Sequence, residues 1–207
     1  MATLVVNASY SALLVGDAVA SYATIHDQAN ANSIYTNDGW VGQAYYVSGG
    51  VHYQINRNGF IFNTSALGAG ATITAVTLDL YGQGGDTSGS EFNIIVIDGA
   101  DFQNPAVVAD YGQLLDDTLS CGTFASASWV LTGYNSITLN ANGIALINKV
   151  GDTKMAVRSS RDISSTAPTA SDPFYEYLEF WSHIDAGKEP RLTITYTSGF
   201  IPKVTII

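Results

Sequence analysis

Apolar and polar residues alternate at short intervals along most of the chain, and glycine- and asparagine-rich stretches separate the alternating segments. Val51, Tyr53 and Ile55 alternate with polar neighbours, which predicts a half-buried strand. The run 92–97 has apolar residues on both phases and predicts a strand buried on both faces. Many short strands without a long helical period are typical of an all-β sandwich or barrel.

Three segments interrupt or qualify the strand pattern. The alternation of residues 71–81 changes phase before Val76, which predicts a bulge or a strand start there. The glycine-rich segment 82–86 is expected to be a turn. The polar segment 159–173 shows no alternation and is expected to be a surface loop.

One or two short helices are predicted between the strands. The first lies in the stretch that Asn104 and Pro105 open and that ends near Leu115. The second covers Ala141 to Lys149, because Asn140 is a residue type that caps helix N-termini. With 207 residues, 46% of them hydrophobic, the chain fits a single domain covering 1–207.

Charge and composition narrow the class of partner. The net charge is −10, from 18 acidic and 8 basic residues, and such a surface repels a phosphate backbone. Arg158 and Arg161 form the nearest approach to a basic patch, but Asp152 and Asp162 flank them, so no nucleic-acid partner is expected. Solubility alone also accounts for the acidic balance. No run of 18 apolar residues occurs, so no membrane insertion is expected.

The cysteine count and the N-terminus bear on the compartment. Cys121 is the only cysteine, so no disulfide forms within the chain. Residues 1–6 lack a basic segment and a long apolar segment, so no secretion signal is expected. This pattern predicts a protein that is made in the cytoplasm. The polar, tyrosine-rich composition is nevertheless typical of extracellular modules. Release by cell lysis, as for virion parts, or a signal missing from this sequence would reconcile the two.

Catalytic or metal-binding patterns are weak. His26, His52 and His183 are scattered, Cys121 has no partner cysteine, and no Gly-x-Ser-x-Gly motif is present. We therefore expect no catalytic residues, no His/Cys metal site and no cofactor. Calcium in a structural role is left open, with Asp98 and Asp101, or Asn37 and Asp38, as sources of oxygen ligands.

Glycoside hydrolysis requires a pair of carboxylates, and the sequence offers two candidate pairs. Asp116 and Asp117 are adjacent, and neighbouring side chains point in different directions on most backbones. Glu176 and Glu179 are expected on opposite sides of a strand. Neither pair predicts an enzyme.

Aromatic residues give the best indication of a binding function. Trp40, Tyr45 and Tyr46 lie in a polar stretch that is expected to be a loop and strand edge, and Trp129 and Tyr134 form a second cluster. Sugar rings stack on exposed aromatic faces, so these five residues are candidate carbohydrate-binding residues. Partial burial in the core is the alternative for each cluster.

The C-terminal segment 198–207 is rich in apolar residues that are costly to leave in water. It either packs on its own domain or is a docking tail that pairs with a neighbouring subunit. The candidate assembly residues are Phe200, Ile201, Val204, Ile206 and Ile207.

Six segments and one tryptophan follow one another in a specific order: Phe60 to Leu67, Ala71 to Tyr81, Trp129, Ile137 to Ile144, Lys154 to Arg161, Leu178 to Ser182 and Pro190 to Tyr196. This order resembles that of DNRLRE-type β-sandwiches, which are similar to carbohydrate-binding modules. The resemblance covers roughly residues 50 to 197 and implies a jelly-roll β-sandwich of two antiparallel sheets, without catalysis.

Stand-alone versions of such sandwiches resemble phage virion structural proteins. The leading prediction is therefore a non-enzymatic virion component, a capsid decoration or tail-fibre protein that forms homo-oligomers and binds capsid or tail proteins through its termini. The alternative is a carbohydrate-binding module of a surface or secreted protein, with glycans as partners. A third is a filament-forming surface subunit.

Overall fold

The computed structural model describes residues 1–87 and 89–199, and these ranges contain twelve strands, four short α-helices and two single-turn 3₁₀ helices. The strands are β1 (Ala2–Asn7), β2 (Tyr10–Val19), β3 (Ser33–Tyr35), β4 (Gly39–Val47), β5 (Val51–Asn63), β6 (Thr72–Asp86), β7 (Asn93–Asp98), β8 (Gly122–Ala125), β9 (Tyr134–Thr138), β10 (Asp152–Ser159), β11 (Phe174–Phe180) and β12 (Arg191–Thr197). The helices are α1 (Tyr22–His26), α2 (Asp110–Asp116), α3 (Ala141–Ala145) and α4 (Ser160–Ile163), with 3₁₀ turns at Ser65–Leu67 and Ser126–Ser128.

The strands form one antiparallel sheet that curls on itself. Its main order is β1-β12-β6-β11-β4-β5-β10-β7-β8, while β2 pairs with β3 and β5, and β9 pairs with β6. The first part of β6 pairs with β12 and its last part, from Gly82 to Asp86, pairs with β11. The all-β prediction with short helices is confirmed, and β6 joins the two predicted sheets into one.

The main core lies between the two layers of the curled sheet. Alternate residues Val76, Leu78 and Leu80 of β6 face Phe60 and Phe62 of β5 in one apolar cluster, all nearly inaccessible to solvent. The predicted change of phase before Val76 is confirmed, because the pairing of β6 with β12 skips one residue between positions 73 and 75.

A second apolar cluster covers the outer face of the β5 layer. Ile55 and Ile61 of β5 pack there with Ile25 of α1 and with Tyr111 and Leu114 of α2. Strand β5 is therefore buried on both faces over much of its length. In its N-terminal half, the face that turns away from the second cluster extends beyond the main core and is partly open. This open part carries the candidate site.

Two predictions about local structure were wrong. Segment 82–86 is strand, not turn: its glycines permit close approach, since a Cβ on Gly84 would lie 2.3 Å from Oε2 of Glu179. Segment 159–173 is not wholly a surface loop, because it contains α4 and the fully buried Asp162. The side-chain oxygen of Ser159 caps α4 by accepting from the Asp162 N–H.

The helix predictions were right in place and approximate in length. Asn140 caps α3, as expected, by accepting from the backbone N–H groups of Asn142 and Gly143. That helix ends at Ala145 and does not reach Lys149. Within the first predicted stretch, only its C-terminal part is helical, as α2.

Candidate functional site

A groove on the open face of the sheet combines aromatic rings with polar side chains. It consists of two adjacent cavities, the first of ≈ 330 Å³ and the second of ≈ 340 Å³. Trp40 and Gln54 line both of them. The groove crosses the strands in the order β3, β2, β5, β4 and β11. Four inter-strand steps of about 4.8 Å span roughly 19 Å, which is longer than one sugar ring. We call this feature the aromatic groove. The residues that line its first cavity are Trp40, Ala44, Tyr46, Gln54, Tyr175 and Tyr177.

Trp40 of β4 is the central platform of the aromatic groove. Its half-buried indole stacks on Tyr177 of β11, with ring centroids 5.1 Å apart and planes 7° from parallel. Tyr175 meets Tyr177 edge to face at 5.7 Å. Neighbouring rings restrict each other's rotation, so the platform is preorganised to stack on a flat apolar surface.

A second ring pair closes one side of the groove. Tyr46 stacks on His52 at 4.7 Å, and the Asp17 carboxylate holds both, accepting from the Tyr46 hydroxyl and contacting Nδ1 of His52 at 2.8 Å. Burial and the bond to Asp17 raise the pKa of Tyr46 above its usual range, so its hydroxyl stays protonated. The groove wall is therefore a fixed polar and aromatic surface.

Amide side chains form the floor. Gln54 and Asn56 of β5 point to the groove face, where they lie opposite Asp17 and Val15 of β2. Nε2 of Gln54 donates to Oδ1 of Asn56 at 2.9 Å, but Nδ2 of Asn56, a residue only 1% exposed, has no hydrogen-bond partner. Asn56 lines neither cavity, so Gln54 is the amide of this floor that is exposed to the groove.

The sequence-predicted aromatic residues separate into different environments. Trp40 and Tyr46 share the aromatic groove, but they lie in a central strand and not in a loop. Tyr45 points to the opposite face and packs edge to face on Tyr53 at 5.3 Å, towards the helices. Alternation along β4 accounts for this separation.

The second predicted cluster is not a shared surface. Trp129 packs against the main core, in edge contact with Phe124, and its indole N–H is buried. Tyr134 contacts Tyr81 and lies beneath the Arg191 guanidinium at 3.7 Å. Core packing, the alternative left open for this pair, describes Trp129.

The candidate assembly residues Phe200, Ile201, Val204, Ile206 and Ile207 lie outside the described residues. Within residues 1–87 and 89–199, no group of three or more His, Cys, Asp or Glu side chains is arranged to hold a metal ion. Cys121 is buried, and burial raises the pKa of its thiol to about 11, which leaves the unreactive protonated form at neutral pH.

A buried cluster of charges that was not predicted from the sequence fixes the helices to the sheet. Asp162 of α4 accepts from Nε of Arg57 at 2.9 Å and from Nε of Arg158 at 2.7 Å. Arg57 also donates to the backbone carbonyls of His26 and Tyr111, and Arg158 donates to those of Leu114 and Leu115, which holds the end of α1 and helix α2 in place. We call Arg57, Arg158 and Asp162 the Asp162 clamp.

The clamp is fully desolvated and yet charged. Burial alone would raise the pKa of Asp162, but the two guanidinium groups outweigh it and hold that pKa well below its usual range. Arg158 is only 1% exposed, so Arg158 and Arg161, the nearest approach to a basic patch in the sequence, do not form one at the surface. These arginines serve the fold.

Glu176 and Glu179 of β11 face opposite sides, as expected. Glu176 is buried on the helix side, where Gln43 donates to its carboxylate and Nε of Arg161 lies 3.1 Å away. Burial raises the pKa of Glu176 to about 7 despite both contacts. Glu179 lies on the groove side, directly opposite Trp40 in the pairing of β11 with β4.

The raised pKa of Glu176 predicts a pH-dependent stability. Because the folded state holds this proton more tightly than the unfolded state, the stabilisation is fully present below about pH 4.5 and is lost as pH rises through about 7. Glu176→Gln should flatten this part of the profile of unfolding free energy against pH, measured by urea denaturation. An identical slope in the variant would contradict the assignment to Glu176.

Comparison with known proteins adds no family to this description. No family model and no curated protein matches the chain. The resemblance to DNRLRE-type sandwiches therefore stays a prediction. Among the described residues, no helix is both long and apolar enough to cross a bilayer.

Proposed function

We propose that this protein is a non-enzymatic binding module that holds a glycan chain in the aromatic groove. The observation that carries the proposal is the Trp40–Tyr177 stack, a half-buried aromatic platform on an open sheet face. The flat faces of sugar rings carry C–H groups that pack on such a platform, and hydroxyl groups at the ring edges need hydrogen-bond partners. Gln54 and Asp17, which line the cavity beside it, supply those partners.

The arrangement suits a chain of sugars better than a single sugar. The two cavities are open and adjacent, and Trp40 and Gln54 contribute to both. One sugar unit on the platform would leave the second cavity for the next unit, where Tyr35 of β3 provides a further ring. Contact over several strands adds affinity that a monosaccharide would lack.

A microarray of immobilised glycans tests this proposal directly. We expect the purified protein to bind at least one class of polysaccharide, with longer oligomers bound more tightly than the monosaccharide. Incubation of the bound glycan with the protein should release no reducing ends. Failure to bind any glycan would contradict the binding function, and release of reducing ends would contradict the non-enzymatic assignment.

The virion function remains a prediction that depends on residues 200–207. If the apolar tail is a docking segment, deletion of residues 199–207 should abolish oligomers that the full-length chain forms, as measured by analytical ultracentrifugation. A full-length chain that is monomeric, and unchanged by the deletion, would contradict assembly through the tail. Glycan binding and assembly are compatible, since the groove and the tail are different parts of the chain.

A further inference from the structure

We infer that the aromatic groove is selective for a glycan that carries amines, a hexosamine polymer with free amino groups, over its neutral and its acidic counterparts. This inference rests on the proposed glycan-binding function and names the substrate class of the same groove. It is carried by the charges around Trp40 and by the aromatic faces between them.

Two carboxylates line one cavity of the groove, and a third lies on the strand next to Trp40. Asp38 lines the same cavity as Trp40, and Glu179 lies directly opposite Trp40 in the adjacent strand. Asp17 lines that cavity two strands away, with its side chain 27% exposed. An amino-sugar chain lying across Trp40 would therefore pass carboxylates on both sides of the ring.

Within the described residues, Asp17 is the one of these three carboxylates with an ion-pair partner, the imidazole of His52. The described residues that line the two cavities include no lysine or arginine. His52, which stacks on Tyr46, contacts Asp17 and the Ser48 carbonyl, and it forms no ion pair with Asp38 or Glu179. Burial and the negative charge of Asp38 raise the pKa of Glu179, a sign that the two carboxylates repel each other. A bound ammonium group would relieve this repulsion.

Aromatic rings between carboxylates are a general arrangement for recognising ammonium groups. A cation over the face of a tryptophan or tyrosine is attracted by the electrons of the ring. The Trp40–Tyr177 pair presents such faces, and the field of Glu179 extends to Tyr177, whose pKa is raised by burial and by Glu179. Carboxylate-bearing sugars, by contrast, would meet like charges at the same positions.

The floor of the groove supplies a polar group of a different kind. Gln54 lines both cavities, and its amide group can bind a hydroxyl or ring oxygen of the sugar, while the carboxylates bind the amine. Behind it on the same face of β5, Nδ2 of the buried Asn56 has no hydrogen-bond partner. A free amino sugar carries both hydroxyl groups and an amine, so it can use both kinds of partner.

Isothermal titration with matched oligosaccharides tests the inference. The probes are a glucosamine oligomer, its fully N-acetylated twin and a uronic acid oligomer of the same length, in low salt at a pH where the amine is protonated. We expect the glucosamine oligomer to bind at least about tenfold more tightly than its N-acetylated twin, and the uronic acid oligomer not to bind. Added salt should reduce the preference.

Variants separate this inference from the proposed function. Asp38→Asn combined with Glu179→Gln should reduce the preference for the free amine to about one while the N-acetylated oligomer still binds. Asp152→Asn, which removes an exposed carboxylate from β10, should leave the preference intact. Equal binding of the two twins by the wild-type protein, or an unchanged preference in the double variant, would overturn the inference and leave glycan binding standing. Binding to none of the three probes would overturn the inference, and the glycan microarray then decides whether the binding function fails with it.

Discussion

Replacement of Asp162 by alanine is expected to lower the free energy of unfolding by about 3–5 kcal/mol, a large part of the stability of an ordinary domain. The substitution would leave Arg57 and Arg158 buried without a counter-charge. It would also release the ends of α1 and α2, which those arginines hold through backbone carbonyls. Urea denaturation followed by far-ultraviolet circular dichroism measures the loss.

Two further variants make this expectation specific. Asp162→Asn keeps the shape of the side chain and removes the charge, so it should cost nearly as much as alanine if the ion pairs matter. Asp152→Asn, at an exposed position, should change the unfolding free energy by less than about 0.5 kcal/mol. An Asp162→Asn protein as stable as the wild type would show that the clamp does not depend on charge.

Replacement of Trp40 by alanine is expected to weaken glycan binding about thirtyfold or more, which corresponds to about 2 kcal/mol for a central aromatic contact. The indole is the one ring that borders both cavities, so its loss removes the platform and leaves Tyr177 without its stacking partner. Isothermal titration with the best glycan from the microarray gives the affinity.

The matched control is the same substitution at Trp129. That ring packs on Phe124 and on the main core, outside the groove, so Trp129→Ala should lower stability but retain glycan affinity at a temperature where the variant is folded. Retained binding in Trp40→Ala together with lost binding in folded Trp129→Ala would move the site to the second aromatic cluster. A thermal melt of both variants guards against confusing unfolding with lost binding.

Much of the fold follows from the alternation of apolar residues. The strands at Val76 to Leu80 and at Ile94 to Ile97, and the cap at Asn140, depend on contacts within a few residues of each other, which the sequence displays. The glycine-rich segment 82–86 was misassigned because glycine serves both turns and close strand approach. The contact of Glu179 in the neighbouring strand with Gly84 shows that these glycines serve close strand approach and not a turn.

The candidate site was only partly predictable. Trp40 and Tyr46 were named from their aromatic character, but Tyr175 and Tyr177 join them from a strand about 130 residues later in the chain. Such a pairing depends on the strand order, which local patterns do not encode. Strict alternation could have placed Tyr45 and Tyr46 on opposite faces, had the segment been assigned to a strand.

The Asp162 clamp was missed for a similar reason. Arg57 lies in a strand 105 positions before Asp162, and an arginine in a polar stretch is usually at the surface. The alternation of β5 places Arg57 on the same face as Ile55 and Ile61, which is a signal of burial. The burial of Arg57 is tolerable because it pairs with Asp162. Asp162 lies in α4, within segment 159–173, whose sequence is typical of a loop.

A fluorescence titration with single-tryptophan proteins tests the central claim most directly. The chain has three tryptophans, so Trp129→Phe with Trp181→Phe leaves Trp40 alone, and Trp40→Phe with Trp181→Phe leaves Trp129 alone. With a glycan from the microarray, the protein that retains Trp40 should show a saturable change in emission, and the one that retains Trp129 should show none. A saturable change at Trp129, without one at Trp40, would contradict the assignment of the aromatic groove as the glycan site.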